Sequence, residues 1–126
     1  MTDIQNAADV EQLVYSFYDR VQVDPLLAPV FNDVAHVNWP AHLPVMVEFW
    51  SSLLLGTATY KGRPFPKHAV LPIDKAHFSR WLNLFFENID AQFAGPRADE
   101  AKAKALSIAT LFQHKMGLKS AFIPLA

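Results

Sequence analysis

Five histidines, at positions 36, 42, 68, 77 and 114, are the residues best able to ligate a metal or move a proton near neutral pH. No two stand four residues apart, so no single helical turn chelates zinc in the HExxH manner. His68 has unusual surroundings. It lies in "YKGRPFPKHAVLPI" (60–73), among Pro64, Pro66 and Pro72, with Lys61, Arg63 and Lys67 just before it. Proline fixes φ and removes a backbone donor, so this stretch resists forming a long helix and holds its imidazole on a stiffened, cation-lined segment. Such an imidazole suits a fixed metal ligand, although a lone loop histidine is more often a plain surface residue.

Other chemistries lack their residues. There is no cysteine, which excludes disulfides, thiolate catalysis, iron–sulfur clusters and covalent CxxCH haem attachment. Only 4 glycines occur, with neither GxGxxG nor a P-loop, and GxSxG and ExxH are absent too. The formal charge of −1 removes the basic footprint that nucleic-acid binding needs. What remains is a surplus of large apolar side chains. Phe31, Met46, Phe49, Trp50, Tyr60, Phe78, Trp81 and Phe85 exceed what a compact helical core of this size needs. An aromatic-rich core explains any one of them, whereas together they suggest that something flat and apolar fills the middle. Haem fits: it needs an apolar slot, one neutral imidazole for iron, and cations near its propionates. His68 with Lys61, Arg63 and Lys67 could supply the last two.

The elements that must position these residues are helical. Ile4, Ala7, Val10, Leu13, Val14, Phe17, Tyr18 and Val21 recur every three or four residues, predicting an amphipathic helix over 3–22 that Asp24-Pro25 stops. "LLAPVF" (26–31) predicts a short helical turn. Asn38 caps a helix over 39–55 that Gly56 ends, and Pro44 inside it predicts a start or kink near His42. The segment around His68 reads as loop with at most a short helix over 65–70. Asp74 caps a helix over 75–93 with an aromatic stripe, Gly95-Pro96 ends that, and the last helix runs over 98–116. Nothing alternates at period two for long. The fold class is therefore all-α, one domain over 1–126, with four substantial helices and two short ones. The N-terminus has no signal-peptide pattern and no apolar stretch approaches the roughly 20 residues that span a bilayer, so a soluble cytoplasmic domain without membrane contact is expected.

The succession "VYSFYDRV", "PVFND", "WPAHLPVMVEFWSSLLLGTATYKGRPFPKHAVLPI" and "HFSRWLNLFFE" resembles the group III truncated haemoglobins over roughly residues 10–112. The glycine pairs that mark other truncated groups are missing. The resemblance implies a truncated globin, a two-over-two helical sandwich around haem b. It makes His68 the proximal iron ligand, Tyr18 the distal tyrosine, His42 the distal histidine and Met46 an apolar distal residue. Phe31 matches the phenylalanine packed on the porphyrin, Trp81 the tryptophan whose N–H faces the ligand, and Tyr60 and Arg63 a propionate edge near Lys67. Trp50 and Phe78 join the cofactor slot, and Tyr18, His42 and Trp81 become the residues that act on the ligand. His36, His77 and His114 are read as surface or capping residues.

The resemblance therefore implies a haem protein with five-coordinate iron that binds dioxygen, nitric oxide or carbon monoxide. A pocket with several donors implies tight retention, which suits nitric oxide dioxygenation or peroxide reduction better than carriage. Either reaction needs an external reductase or reductant, because no flavin or nicotinamide motif is present. The alternatives are a redox or gas-sensing haem module acting through a separate partner protein, and a haem-free helical domain. The expected state is a monomer.

Overall fold

A computed structural model of the chain describes residues 1–57 and 73–117. Four helices form there: α1 Ala7–Val23, α2 Trp39–Leu55, α3 Lys75–Asp90 and α4 Pro96–Lys115, with a π-helical turn at Pro29–Val34 between the first two. No strand occurs among the described residues. Helix α1 packs on α2 and on α3, α4 packs on α3 and on α2, giving two pairs laid over one another. The short helix anticipated at 65–70 lies outside the described residues.

Each helix begins where a side chain can satisfy its otherwise orphaned N–H groups. Asn6 Oδ1 accepts from Asp9 N at 3.0 Å to open α1. Asp74 Oδ1 accepts from Ala76 N at 2.9 Å to open α3. His77 completes that cap: its Nδ1 accepts from the Asp74 N–H at 3.2 Å, taking the place of the glutamate in a capping box. Gly56, at φ 69°, ends α2 in the left-handed conformation that glycine adopts without strain. Helix α2 runs unbroken through Pro44, which forgoes only the bond its missing N–H would have made to Pro40.

The first helix starts four residues later than its apolar spacing predicts, and the reason lies across the molecule. Asp3 accepts from Arg97 N and Ala98 N at 2.9 Å each and from Ile4 N at 2.8 Å, so it caps α4, not α1. Ile4 is fully buried in that extended lead. Gly95 makes the approach possible: a Cβ there would stand 2.6 Å from Asp3 Cγ. Burial pushes the Asp3 carboxyl up, but the N–H groups of Arg97, Ala98 and Ile4 outweigh it, and the Arg97 charge assists, so its pKa is lowered. Asp3→Ala should therefore lower the thermal midpoint by about 3–6 °C, as loss of a cap near 1 kcal/mol implies. A carboxyl depressed in the folded state contributes its stability above the unfolded pKa of about 3.9, and that contribution is lost as pH falls through the folded value. The gap between wild type and variant in thermal melts should close below about pH 4. Equal midpoints at pH 7 would contradict the capping role.

The other boundaries shift less. The turn anticipated at 26–31 falls at 29–34, α3 ends at Asp90 instead of 93, and α4 starts at Pro96 instead of 98. The corner after α1 is held by Asp24, whose Oδ2 accepts from Leu26 N and Leu27 N at 3.1 Å and whose Oδ1 accepts from Arg80 Nε at 2.6 Å. That buried carboxylate fixes the α1 end against α3. The core centres on Leu13, Phe17, Leu82, Phe85 and Ile89, and buried Asn88 donates to Leu13 O at 3.1 Å across the α1–α3 contact.

Candidate functional site

Between the two helix pairs lies a cavity of about 810 Å³, within the range of small-molecule sites. Its lining is chiefly apolar. Leu27, Val30 and Phe31 come from the corner before α2, Met46, Phe49 and Trp50 from α2, Phe78 and Trp81 from α3, and Ile108 and Phe112 from α4. Tyr18, His42, His36 and His77 add its polar side chains, together with Asn38.

Helical spacing explains why these side chains meet. Tyr18 stands one residue from fully buried Phe17 and shares the core face of α1 with Val14 and Val21. His42, Met46 and Phe49 follow one another at four and three residues, so they line one face of α2. Phe78, Trp81 and Phe85 do the same on α3. Trp81 stacks on Phe85 at 5.5 Å and 14°, Phe85 stacks on Trp50 at 4.8 Å, and Phe17 meets Trp81 edge-on at 5.5 Å. These offset and edge-on pairs fix the orientation of the Trp81 indole.

Two polar atoms at the cavity are uncommitted. Neither the Tyr18 hydroxyl nor the Trp81 N–H has a hydrogen-bond partner among the described residues, and neither is sealed among apolar atoms. Both side chains line the cavity, so both donors are available to a group bound there. Burial pushes the Tyr18 phenol well above its usual pKa, so it remains a neutral donor. Trp39 differs, because its Nε1 donates to Asn32 Oδ1 at 2.9 Å. The His42 ring lies edge-on to Tyr18 at 5.7 Å and to Trp39 at 5.9 Å, placing it in the aromatic wall of the cavity.

Of the residues singled out from sequence, Tyr18, Phe31, His42, Met46, Trp50, Phe78 and Trp81 line this one cavity. Tyr60, Arg63, Lys67 and His68 lie outside the described residues. His77 caps α3, as anticipated, and also reaches the cavity edge; His36 is exposed at its rim, at φ 50°. Trp39, packed against Tyr18 and His42, and Asn32, bonded to it, were not anticipated. The signal for Trp39 was its place three residues before His42, one turn away on the same face. The Asn32 tether had no signal in local pattern.

The cavity is suited to a flat apolar group. Its lining is chiefly apolar and rich in aromatic rings, its polar side chains are few, and its volume is that of a cofactor site. Among the described residues no three histidine or carboxylate side chains converge on a metal site. A metal carried by a macrocycle brings most of its own donors and needs as little as one from the protein.

Comparison with known proteins extends this picture. The family model for bacterial-like globins matches residues 3–116. The group 3 truncated hemoglobin ctb of Campylobacter jejuni is 30% identical over 115 residues, covering 88% of this chain and 91% of that protein. The group 1 truncated hemoglobin GlbN of Nostoc commune is 39% identical over 70 residues, 55% of this chain and 57% of its own length. The crystal structure of group III truncated hemoglobin from Campylobacter jejuni matches with a TM-score of 0.83 at 30% identity, over 92% of this chain and 95% of that one.

Proposed function

The chain belongs to the bacterial-like globin family, and on that premise we propose that its cavity holds haem b, with His68 as the protein's ligand to a five-coordinate iron. Membership implies a protein that binds haem and small gas ligands; the identity of the residues that do so is the proposal. Haem, when bound, supplies a redox-active iron with a position for dioxygen, nitric oxide or carbon monoxide. Phe31, Met46, Trp50 and Phe78 would lie against its apolar faces and edges and exclude water. Tyr60, Arg63 and Lys67 are proposed for its propionate edge, on the resemblance of their segment.

One observation carries the reading of the ligand side: two uncommitted donors, the Tyr18 hydroxyl and the Trp81 N–H, line a single apolar cavity with His42. A diatomic ligand that gained partial negative charge there would be stabilised by donors such as these, held in a preorganised site. The Tyr18 Oη keeps its proton because burial disfavours the phenolate. Trp81 Nε1 is held by its stack on Phe85. His42 can offer or take a proton at a ring nitrogen, which the other two cannot do near neutral pH. Three such groups around one ligand favour retention, and retention favours nitric oxide dioxygenation or peroxide reduction with electrons from an external reductase or reductant.

Absorption spectra of the purified chain in ferric, ferrous and carbon monoxide forms test the cofactor and its coordination. A strong Soret band that shifts with carbon monoxide is expected, and a chain without one would end the haem reading. Stopped-flow mixing of the oxygenated form with nitric oxide tests the reaction. Rapid, stoichiometric consumption is expected; slow consumption would remove dioxygenation from the proposal.

A further inference from the structure

Resting on the reading of the cavity as a haem and gas site, we propose that Trp39, tethered by Asn32, is a positioning residue that sets the Tyr18 hydroxyl and the His42 imidazole at the cavity wall. Trp39 is the first residue of α2, beside exposed Pro40, where a helix has no need of a large ring for its own stability. It is half-buried, and what it covers is the polar wall. Its ring meets Tyr18 at 5.4 Å and 50°, Phe31 at 5.9 Å and 31°, and His42 at 5.9 Å and 74°. A swing of Trp39 would withdraw support from both polar groups at once.

The tether decides where that ring stands. Trp39 Nε1 donates to Asn32 Oδ1 at 2.9 Å, linking the start of α2 to the π-helical turn that carries Phe31. The intervening loop is closed by backbone bonds as well: Ala35 N–H donates to Val30 O at 2.8 Å and Val37 N–H to Phe31 O at 3.0 Å. Between them His36 is held at φ 50°, a conformation that side-chain-bearing residues seldom adopt. The turn, the strained loop and the first turn of α2 thus form one unit, and the Asn32–Trp39 bond is its side-chain fastening. Asn32 is exposed, so little else in the structure depends on it. Among the described residues its acceptor oxygen meets the site through the indole N–H.

Four variants read this. Asn32→Leu removes the acceptor, Trp39→Phe keeps a ring but removes the donor, their combination tests coupling, and Asn32→Asp restores an acceptor. In both haem-free and haem-loaded protein, N32L and W39F should move the Tyr18 ring and His42 imidazole proton resonances. In the loaded protein each should speed dioxygen release about threefold, less than the roughly tenfold expected of losing a direct donor. The double variant should match the larger single effect, because both changes break one bond. N32D should resemble the wild type in resonances and release rate, and the thermal midpoint of N32L should fall by less than about 3 °C, since the change is on the surface. Unmoved resonances in N32L, additive single effects, or an N32D that behaves like N32L would overturn the proposal. If the wild type takes up no haem, the proposed function fails, while the resonance arm still decides the role of Trp39.

Discussion

Tyr18→Phe is expected to speed dioxygen release from the haem-loaded protein by at least several-fold. The change removes one hydroxyl and leaves the ring, which contacts Phe17 at 4.9 Å, Trp39 at 5.4 Å and His42 at 5.7 Å. The packing contribution is therefore retained and the donor alone is lost. A hydrogen bond to a charged group contributes about 1.5–3 kcal/mol, which corresponds to roughly ten- to hundredfold in retention. The lower figure is the safer expectation, because Trp81 N–H and His42 stay at the same cavity and can take up part of the ligand's charge. Trp39 cannot, since Asn32 engages its N–H. Removing the second donor in a Tyr18→Phe/Trp81→Phe protein should then exceed the product of the single effects, the signature of two donors on one ligand. The hydroxyl loses no partner among the described residues, so the single variant should fold as the wild type does. Flash photolysis or stopped-flow displacement of dioxygen measures the rates, and an unchanged rate in Tyr18→Phe would remove this residue from the ligand site.

The helices that build the site were legible because each states itself locally. Asn38, Asp74 and Gly56 are stop and start signals that act within three residues, and the apolar spacing of α1, α2 and α3 needs no partner to be seen. From spacing alone, Tyr18, Met46 and Trp81 fall on inward faces, whereas His42 came only from the family resemblance; all four line the same cavity. What was illegible depends on distant chain. Asp3 was counted into α1 because its partners, Arg97 and Ala98, lie more than ninety residues away. Arg80 meets Asp24 across 56 residues, so a pair that fixes α3 against the corner left no trace in either neighbourhood. The Asn32–Trp39 tether spans only 7 residues, yet it depends on a left-handed turn at a histidine that no sequence rule anticipates. Local rules place the elements, and long-range polar contacts set the register in which they meet.

His68→Ala should yield a chain without stable haem unless another imidazole takes its place. Three described histidines reach the cavity, and each has other geometry to satisfy. His77 Nδ1 accepts from the Asp74 N–H and lies 3.1 Å from Asp74 Oδ1, so moving it would undo the cap of α3. His36 stands on a left-handed backbone at the exposed rim. His42 is packed in the wall with Tyr18 and Trp39, on the side that offers the ligand donors. His68 alone stands among prolines with Lys61, Arg63 and Lys67 close before it in sequence, and the resemblance matches it to the proximal histidine. An apolar cavity without that ligand would still attract haem by burial of its flat faces, but weakly and without fixed iron coordination. The expected result is therefore a folded, helical protein, by circular dichroism, with no Soret band after purification. His68→Gly supplied with free imidazole should recover the band and the carbon monoxide shift, because the lost group returns as a solute. A normal Soret band in His68→Ala would transfer the ligand role to another residue. A His68→Gly protein that regains no haem with imidazole would show that residue 68 serves the fold of its segment instead of the iron.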